Sequence, residues 1–83
     1  MRVLVAEDHE LLGRSIATGL RREGMAVDLA VDGVEALRRL TGTRYDVVVL
    51  DRDLPGVHGD DVCRQLVADG FEGRVLMLTA AST

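Results

Sequence analysis

Two hydrophobic patterns alternate along the chain. Val3-Leu4-Val5-Ala6, Val47-Val48-Val49-Leu50 and Val75-Leu76-Met77-Leu78 are short, unbroken apolar runs. Runs of this length, bounded by polar or turn residues, predict strands buried on both faces of a parallel sheet. Met25 to Ala30 differs. Met25, Val27 and Leu29 alternate with Ala26, Asp28 and Ala30, a half-polar pattern that suits an edge strand.

Between these runs the period lengthens. From His9 to Glu23, Leu12, Ile16 and Leu20 recur every four residues, with Leu11 and Ala17 beside them. That spacing predicts one face of an amphipathic helix. Asp8 stands where an N-cap belongs, and Gly24 where a left-handed C-terminal cap belongs. Asp32-Gly33 opens a second helix, with Val34, Leu37 and Leu40 on one face and Gly42 near its end. Asp60 and Asp61 fall in the first turn of a third helix, where the dipole favours negative charge. Val62, Cys63, Leu66 and Val67 form its expected buried stripe, and Gly70 stops it.

The predicted order is β-α-β-α-β-α-β. Helical crossovers between short strands imply a parallel α/β sheet with right-handed connections. The sequence stops just after the fourth strand. An all-apolar strand normally has a neighbour on each side, so the sheet is expected to be cut off there. Its uncovered fourth edge, Val75 to Leu78, is expected to pair with another copy or to aggregate, because an unpaired apolar edge is a liability.

Composition narrows the class. Eighty-three residues make one small domain, 1–83, and 47% hydrophobic content is enough for a core. The net charge is −4. There is no basic footprint for nucleic acid or an anionic membrane. All ten basic residues are arginine. Cys63 is the only cysteine, which excludes an intramolecular disulfide. No apolar run approaches membrane-spanning length and no secretory signal leads the chain, so the expected location is the cytoplasm.

The candidate chemistry lies at the strand ends. Glu7-Asp8 follow the first strand, Asp51 and Asp53 the third, and Thr79 the fourth. In open α/β sheets, ligands bind beyond the carboxyl ends of strands. Parallel strands would crowd these four carboxylates onto one rim. Two unit charges ~4 Å apart repel by about 4 kcal/mol at an effective dielectric near 20, so a counter-charge is needed. Magnesium, a hard cation that prefers oxygen and bridges carboxylate to phosphate, meets that need. An aspartate kept ionised beside it is a nucleophile for phosphorus, and Thr79 carries a hydroxyl that can donate to a phosphoryl oxygen.

Glu7-Asp8, Asp51 followed by Leu54-Pro55-Gly56 and Gly59, and Leu78-Thr79-Ala80 together resemble a response-regulator receiver domain. The stretch from Asp51 through Val62-Cys63-Arg64 is most similar to receivers attached to winged-helix DNA-binding outputs. The resemblance covers the whole chain. It implies a flavodoxin-like sandwich with strand order 2-1-3-4, lacking the family's fifth strand and last two helices. It also implies that Asp51 accepts phosphoryl from a sensor histidine kinase and that the domain is not an enzyme beyond its own phosphotransfer and dephosphorylation. Asp8 and Asp51 would hold Mg2+, assisted by Glu7 through a water and by the backbone carbonyl of Asp53. Thr79 would be the switch residue, with small Ala80 leaving room for its approach. The Asp53 side chain would tune metal affinity or acyl-phosphate lifetime. The region of Leu11, Leu12 and Ser15 would dock the kinase, and any DNA-binding output would lie outside this chain.

Two other readings fit part of the pattern. Asp51-x-Asp53 after an apolar strand matches the first motif of haloacid-dehalogenase-type phosphohydrolases, but there it follows the first strand. The family's lysine after the fifth strand has no counterpart here, which leaves a receiver-like interaction module that never carries phosphate as the other reading. The remaining residues read as structural: His9 a solvent-facing first-turn residue, His58 loop surface, Cys63 an inert core thiol and Tyr45 a packing residue. Arg21-Arg22 and Arg38-Arg39 read as solvated helix faces.

Overall fold

The computed structural model describes residues 1–79. Its elements are β1 (Arg2–Ala6), α1 (Glu10–Arg22), β2 (Ala26–Ala30), α2 (Gly33–Gly42), β3 (Val47–Asp51), α3 (Gly59–Ala68) and β4 (Arg74–Leu78). The four strands form one parallel sheet, as the apolar runs predict, in the order β2-β1-β3-β4 that the family resemblance implies.

The sheet is buried on both faces because successive strand residues point to opposite sides. On one side Leu4, Val48 and Leu50 pack with Ala36 of α2 and with Val62 and Leu66 of α3. On the other, Val3, Val5, Val27 and Val49 pack with Ala17 of α1. Burying each such Val or Leu side chain stabilises the fold by about 1.5–3 kcal/mol. The alternation in β2 falls as expected: Met25, Val27 and Leu29 join the α1 side and Ala30 the opposite side. Among the described residues β4 pairs only with β3, and Leu76 is 55% exposed.

Four helix expectations need correction, one of them in α2, where Val34 is exposed and the buried positions are Gly33 and Ala36. Asp8 is not the N-cap of α1. That position belongs to His9, whose Nδ1 accepts from the Leu12 amide at 3.3 Å. Leu12 is also not on the packed face; it is exposed, and the buried positions are Gly13 and Ala17, flanked by half-buried Ile16 and Leu20. A hydrophobic period cannot register a glycine, yet Gly13 lets the helix backbone approach Leu29 and Glu7. In α3, Val62 and Leu66 are buried and Cys63 is half-buried, while Val67 is exposed. Val67 follows Leu66 by one position, about a quarter-turn away from the line that faces the sheet.

Two arginine positions are also less free than expected. Arg21 donates to the Val27 carbonyl at 2.7 Å, covering a backbone acceptor of the edge strand. Arg39 pairs with Glu35 at 3.5 Å and is only partly exposed. Gly24 adopts the left-handed conformation (φ 88°) that the end of α1 requires.

Candidate functional site

The strand ladder places the acidic residues. Ala6 is the register partner of Leu50, so Glu7 and Asp51, one residue further on each strand, emerge side by side. The Glu7 amide donates to the Ala30 carbonyl of β2 at 2.9 Å, which carries the ladder one residue past β1. On the other flank Asp51 is the partner of Leu78, and the Arg52 amide donates to the Leu78 carbonyl at 3.0 Å. Thr79 follows directly and is exposed at this rim.

Glu7, Asp8 and Asp51 each present a carboxylate oxygen within 4.8 Å of the others. Glu7 is buried, Asp51 half-buried and Asp8 exposed. Burial pushes the Glu7 carboxyl above its ordinary pKa; the His9 amide, donating to Glu7 at 3.1 Å, opposes this, and the neighbouring Asp51 and Asp8 carboxyls add to it. Crowded carboxylates of this kind disfavour one another's charge. The donor set is all oxygen and contains no cation of its own, which fits a hard divalent ion such as Mg2+.

The loop after Asp51 is held tightly. The Asp53 amide donates to Asp51 Oδ1 at 3.0 Å, fixing the orientation of the carboxylate. Leu54 is fully buried beneath the loop. Gly59 closes it, its amide donating to the Arg52 carbonyl at 3.1 Å. A Cβ at Gly59 would lie 2.3 Å from the Asp51 carbonyl oxygen, closer than non-bonded atoms approach. Arg52 turns outward and pairs with Asp60 at 3.2 Å. The Asp53 side chain is exposed, so its contact with the site is made through its backbone.

The structure therefore brings together Glu7, Asp8 and Asp51, with the Asp53 backbone and Thr79 on either flank. Ala80 lies outside the described residues. Leu11 and Leu12 are 71% and 46% exposed at the start of α1, and Ser15 is exposed on the next turn. In the sequence Leu54 and Gly59 stand only as parts of a motif; their anchoring roles come from packing. Tyr45 is buried as expected, but its hydroxyl also donates to Asp28 Oδ2 at 2.7 Å, which no pattern signalled.

Comparison with known proteins agrees with this geometry. A family model described as the response regulator receiver domain matches residues 3–83. The transcriptional regulatory protein CutR of Streptomyces coelicolor is 65% identical over 81 residues, covering 98% of this chain and 37% of CutR. The response regulator protein PmrA of Pseudomonas aeruginosa is 46% identical over 80 residues, 96% of this chain and 36% of PmrA. The chain thus spans little more than a third of the curated relatives it matches. Among solved structures, the response regulator TrrA of Thermotoga maritima, determined in complex with Mg(2+)-BeF, superposes with a TM-score of 0.91 at 32% identity, covering 98% of this chain and 70% of that one.

Proposed function

The chain belongs to the response regulator receiver family, and on that premise we propose that Asp51 is its phosphoacceptor. One observation carries the assignment. Asp51 ends the interior strand β3 with Glu7 and Asp8 carboxylates within 4.8 Å on one side and the start of Thr79 on the other.

Asp8 and Asp51 would hold Mg2+ through their carboxylates, with Glu7 assisting through a water and the backbone carbonyl of Asp53 completing the protein's share. Bound there, the ion would supply positive charge that offsets the carboxylates and the incoming phosphoryl group. An Asp51 carboxylate oxygen attacks the phosphorus of a phosphohistidine. The P–N bond breaks, its electron pair returns to the imidazole, which takes up a proton, and an acyl phosphate forms on Asp51. Hydrolysis clears it: water attacks phosphorus, the P–O bond to Asp51 breaks with its electron pair returning to the carboxylate, and inorganic phosphate leaves as the water's proton passes to solvent. Thr79 donates its hydroxyl hydrogen to a phosphoryl oxygen and moves with it. The domain acts on no other substrate.

The phosphodonor in this reading is a sensor histidine kinase, docked on the Leu11, Leu12 and Ser15 surface. Leu11 and Leu12 are large apolar side chains exposed beside the acidic rim, where they can bury against a partner. CutR is named a transcriptional regulatory protein and extends well beyond this span, which supports an output that binds DNA, with the whole protein in the cytoplasm. Among the described residues no helix is long and apolar enough to cross a membrane. Self-association along β4 is a further expected contact, supported by its one-sided pairing and by exposed Leu76. Light scattering would then show oligomers that Leu76→Lys disperses; an unchanged mass distribution would rule the contact out.

The phosphoacceptor assignment is tested by incubating the protein with acetyl phosphate and Mg2+ and resolving it on a phosphate-retarding gel. A retarded band is expected in the wild type and none in Asp51→Asn. An unretarded wild type would favour a module that never carries phosphate.

A further inference from the structure

The loop that carries the proposed acceptor is anchored at a point remote from the acidic cluster in sequence. Gly33 is the first residue of α2. The opening amides of a helix have no partner within it. At α2, the Glu35 amide is taken by Asp32 Oδ1 at 2.7 Å. The Gly33 amide is taken instead by the Pro55 carbonyl in the β3–α3 loop, at 3.1 Å. Gly33 is buried, and a Cβ built there would lie 2.0 Å from the Val57 carbonyl oxygen and 2.7 Å from the Val57 carbonyl carbon. These neighbours are backbone atoms, so no side-chain rotation relieves the contact.

We infer that Gly33 is a positioning residue for the phosphoacceptor loop. Its bare backbone lets the loop lie against the α2 N-terminus, and its amide holds Pro55 there. This fixes the path of Asp53-Leu54-Pro55, and with it the two backbone groups of Asp53 that the site uses: the amide on Asp51 Oδ1 and the carbonyl offered to the metal. Leu54, fully buried between these points, makes the segment rigid enough to transmit a displacement at one end to the other. The inference rests on the assignment of Asp51 and Asp53 given above. It adds that the β2–α2 junction, which carries no ligand itself, sets the geometry of the site.

Gly33→Ala pushes the loop back by about 1 Å or more, the distance needed to bring the Cβ contact out to 3.0 Å. Gly42→Ala, at the other end of α2 where nothing lies within 4 Å, is the control. Backbone amide NMR is recorded first without metal, then through a Mg2+ titration, with melting temperature measured in parallel. In Gly33→Ala the metal-free resonances of Asp53 and Leu54 shift, and the Mg2+ midpoint weakens by about 10- to 100-fold, as an ångström-scale misplacement implies. In Gly42→Ala both stay at wild-type values.

Unmoved Asp53 and Leu54 resonances and an unchanged midpoint in a folded Gly33→Ala protein would overturn the inference. If Gly33→Ala does not fold, the wild type decides. Its Gly33 amide is expected to shift and to exchange more slowly on Mg2+ addition while the Gly42 amide does not; a Gly33 amide indifferent to Mg2+ overturns the anchor. A wild type that binds no Mg2+ contradicts the assignment of the site instead, and the metal-free shifts in Gly33→Ala still report on the anchor.

Discussion

Glu7 and Asp51 leave adjacent parallel strands at the same level, one residue beyond the Ala6–Leu50 register pair. Two carboxyls are thereby set side by side by backbone hydrogen bonding, and Asp8 joins them. The fold holds this crowding in place whether or not a cation relieves it.

Relief of that crowding should be measurable as stability. Asp8→Asn is expected to stabilise the metal-free protein, by roughly 1–4 kcal/mol, the span between water-like and protein-like screening for charges ~4 Å apart. The exposure of Asp8 places the effect toward the lower end. Thermal melts in EDTA check this. Added Mg2+ should raise the melting temperature of the wild type and leave Asp8→Asn nearly unmoved. The raised carboxyl of Glu7 adds a pH dependence. A carboxyl whose pKa is higher folded than unfolded favours folding on its protonated side. The metal-free protein should therefore gain stability as pH falls from neutral toward the carboxylate range, and saturating Mg2+ should flatten that gain.

Tyr45 and Asp28 form a second, structural pair, and its response to acid is opposite to that of Glu7. The Tyr45 hydroxyl donates to Asp28 Oδ2 at 2.7 Å and Arg2 approaches the same oxygen at 3.2 Å. The tyrosine hydrogen bond, then the charge of Arg2, hold the Asp28 carboxyl below its usual pKa against the opposing effect of burial. Burial and the Asp28 charge raise that of Tyr45. A depressed acid stabilises above its unfolded pKa and loses that contribution as pH falls through its folded value. A raised phenol stabilises below its unfolded pKa and loses its contribution as pH rises through its folded value. The pair is thus fully effective from about pH 4 to pH 10. Tyr45→Phe should cost about 1.5–3 kcal/mol at pH 7, as for a hydrogen bond to a charged group, and the cost should shrink below pH ~4. Denaturant titrations at pH 7 and pH 3 check both statements.

Leu54 ties the acceptor loop to the core. It is fully buried within the cluster that includes Leu50, Val62 and Leu66. Leu54→Ala should destabilise by about 2–5 kcal/mol, the usual cost of deleting a buried leucine side chain. The same variant should increase hydrogen exchange at Asp53 and Val57 beyond what global destabilisation requires. Exchange that rises uniformly over the whole sheet would show that the loop has no special dependence on Leu54.

The strands and helices were legible because apolar runs and helical periods are strong signals that depend only on residue type, while the order of strands in the sheet follows from the family resemblance. The acidic rim was legible because parallel strands must share one carboxyl end, so Glu7, Asp51 and Thr79 had to meet. What the sequence could not show depends on close approach. Gly13 is a packing residue of α1, yet it adds nothing to a hydrophobic period, which points to the exposed Leu12 in its place. Gly33 and Gly59 admit backbone to within distances that forbid any side chain, and composition carries no trace of such contacts. His9 displaced Asp8 as the cap of α1 because an imidazole nitrogen can accept the Leu12 amide while Asp8 joins the acidic cluster.

The identity of the residue that carries phosphorus tests the account most directly. The protein would be incubated with acetyl phosphate and Mg2+, the acyl phosphate trapped by borohydride reduction, and the reduced residue located by peptide mass spectrometry. Reduction at Asp51 alone, lost when Mg2+ is withheld, is the predicted result. Reduction at Asp8 or Asp53, or steady hydrolysis of phosphomonoesters by the protein, would contradict it.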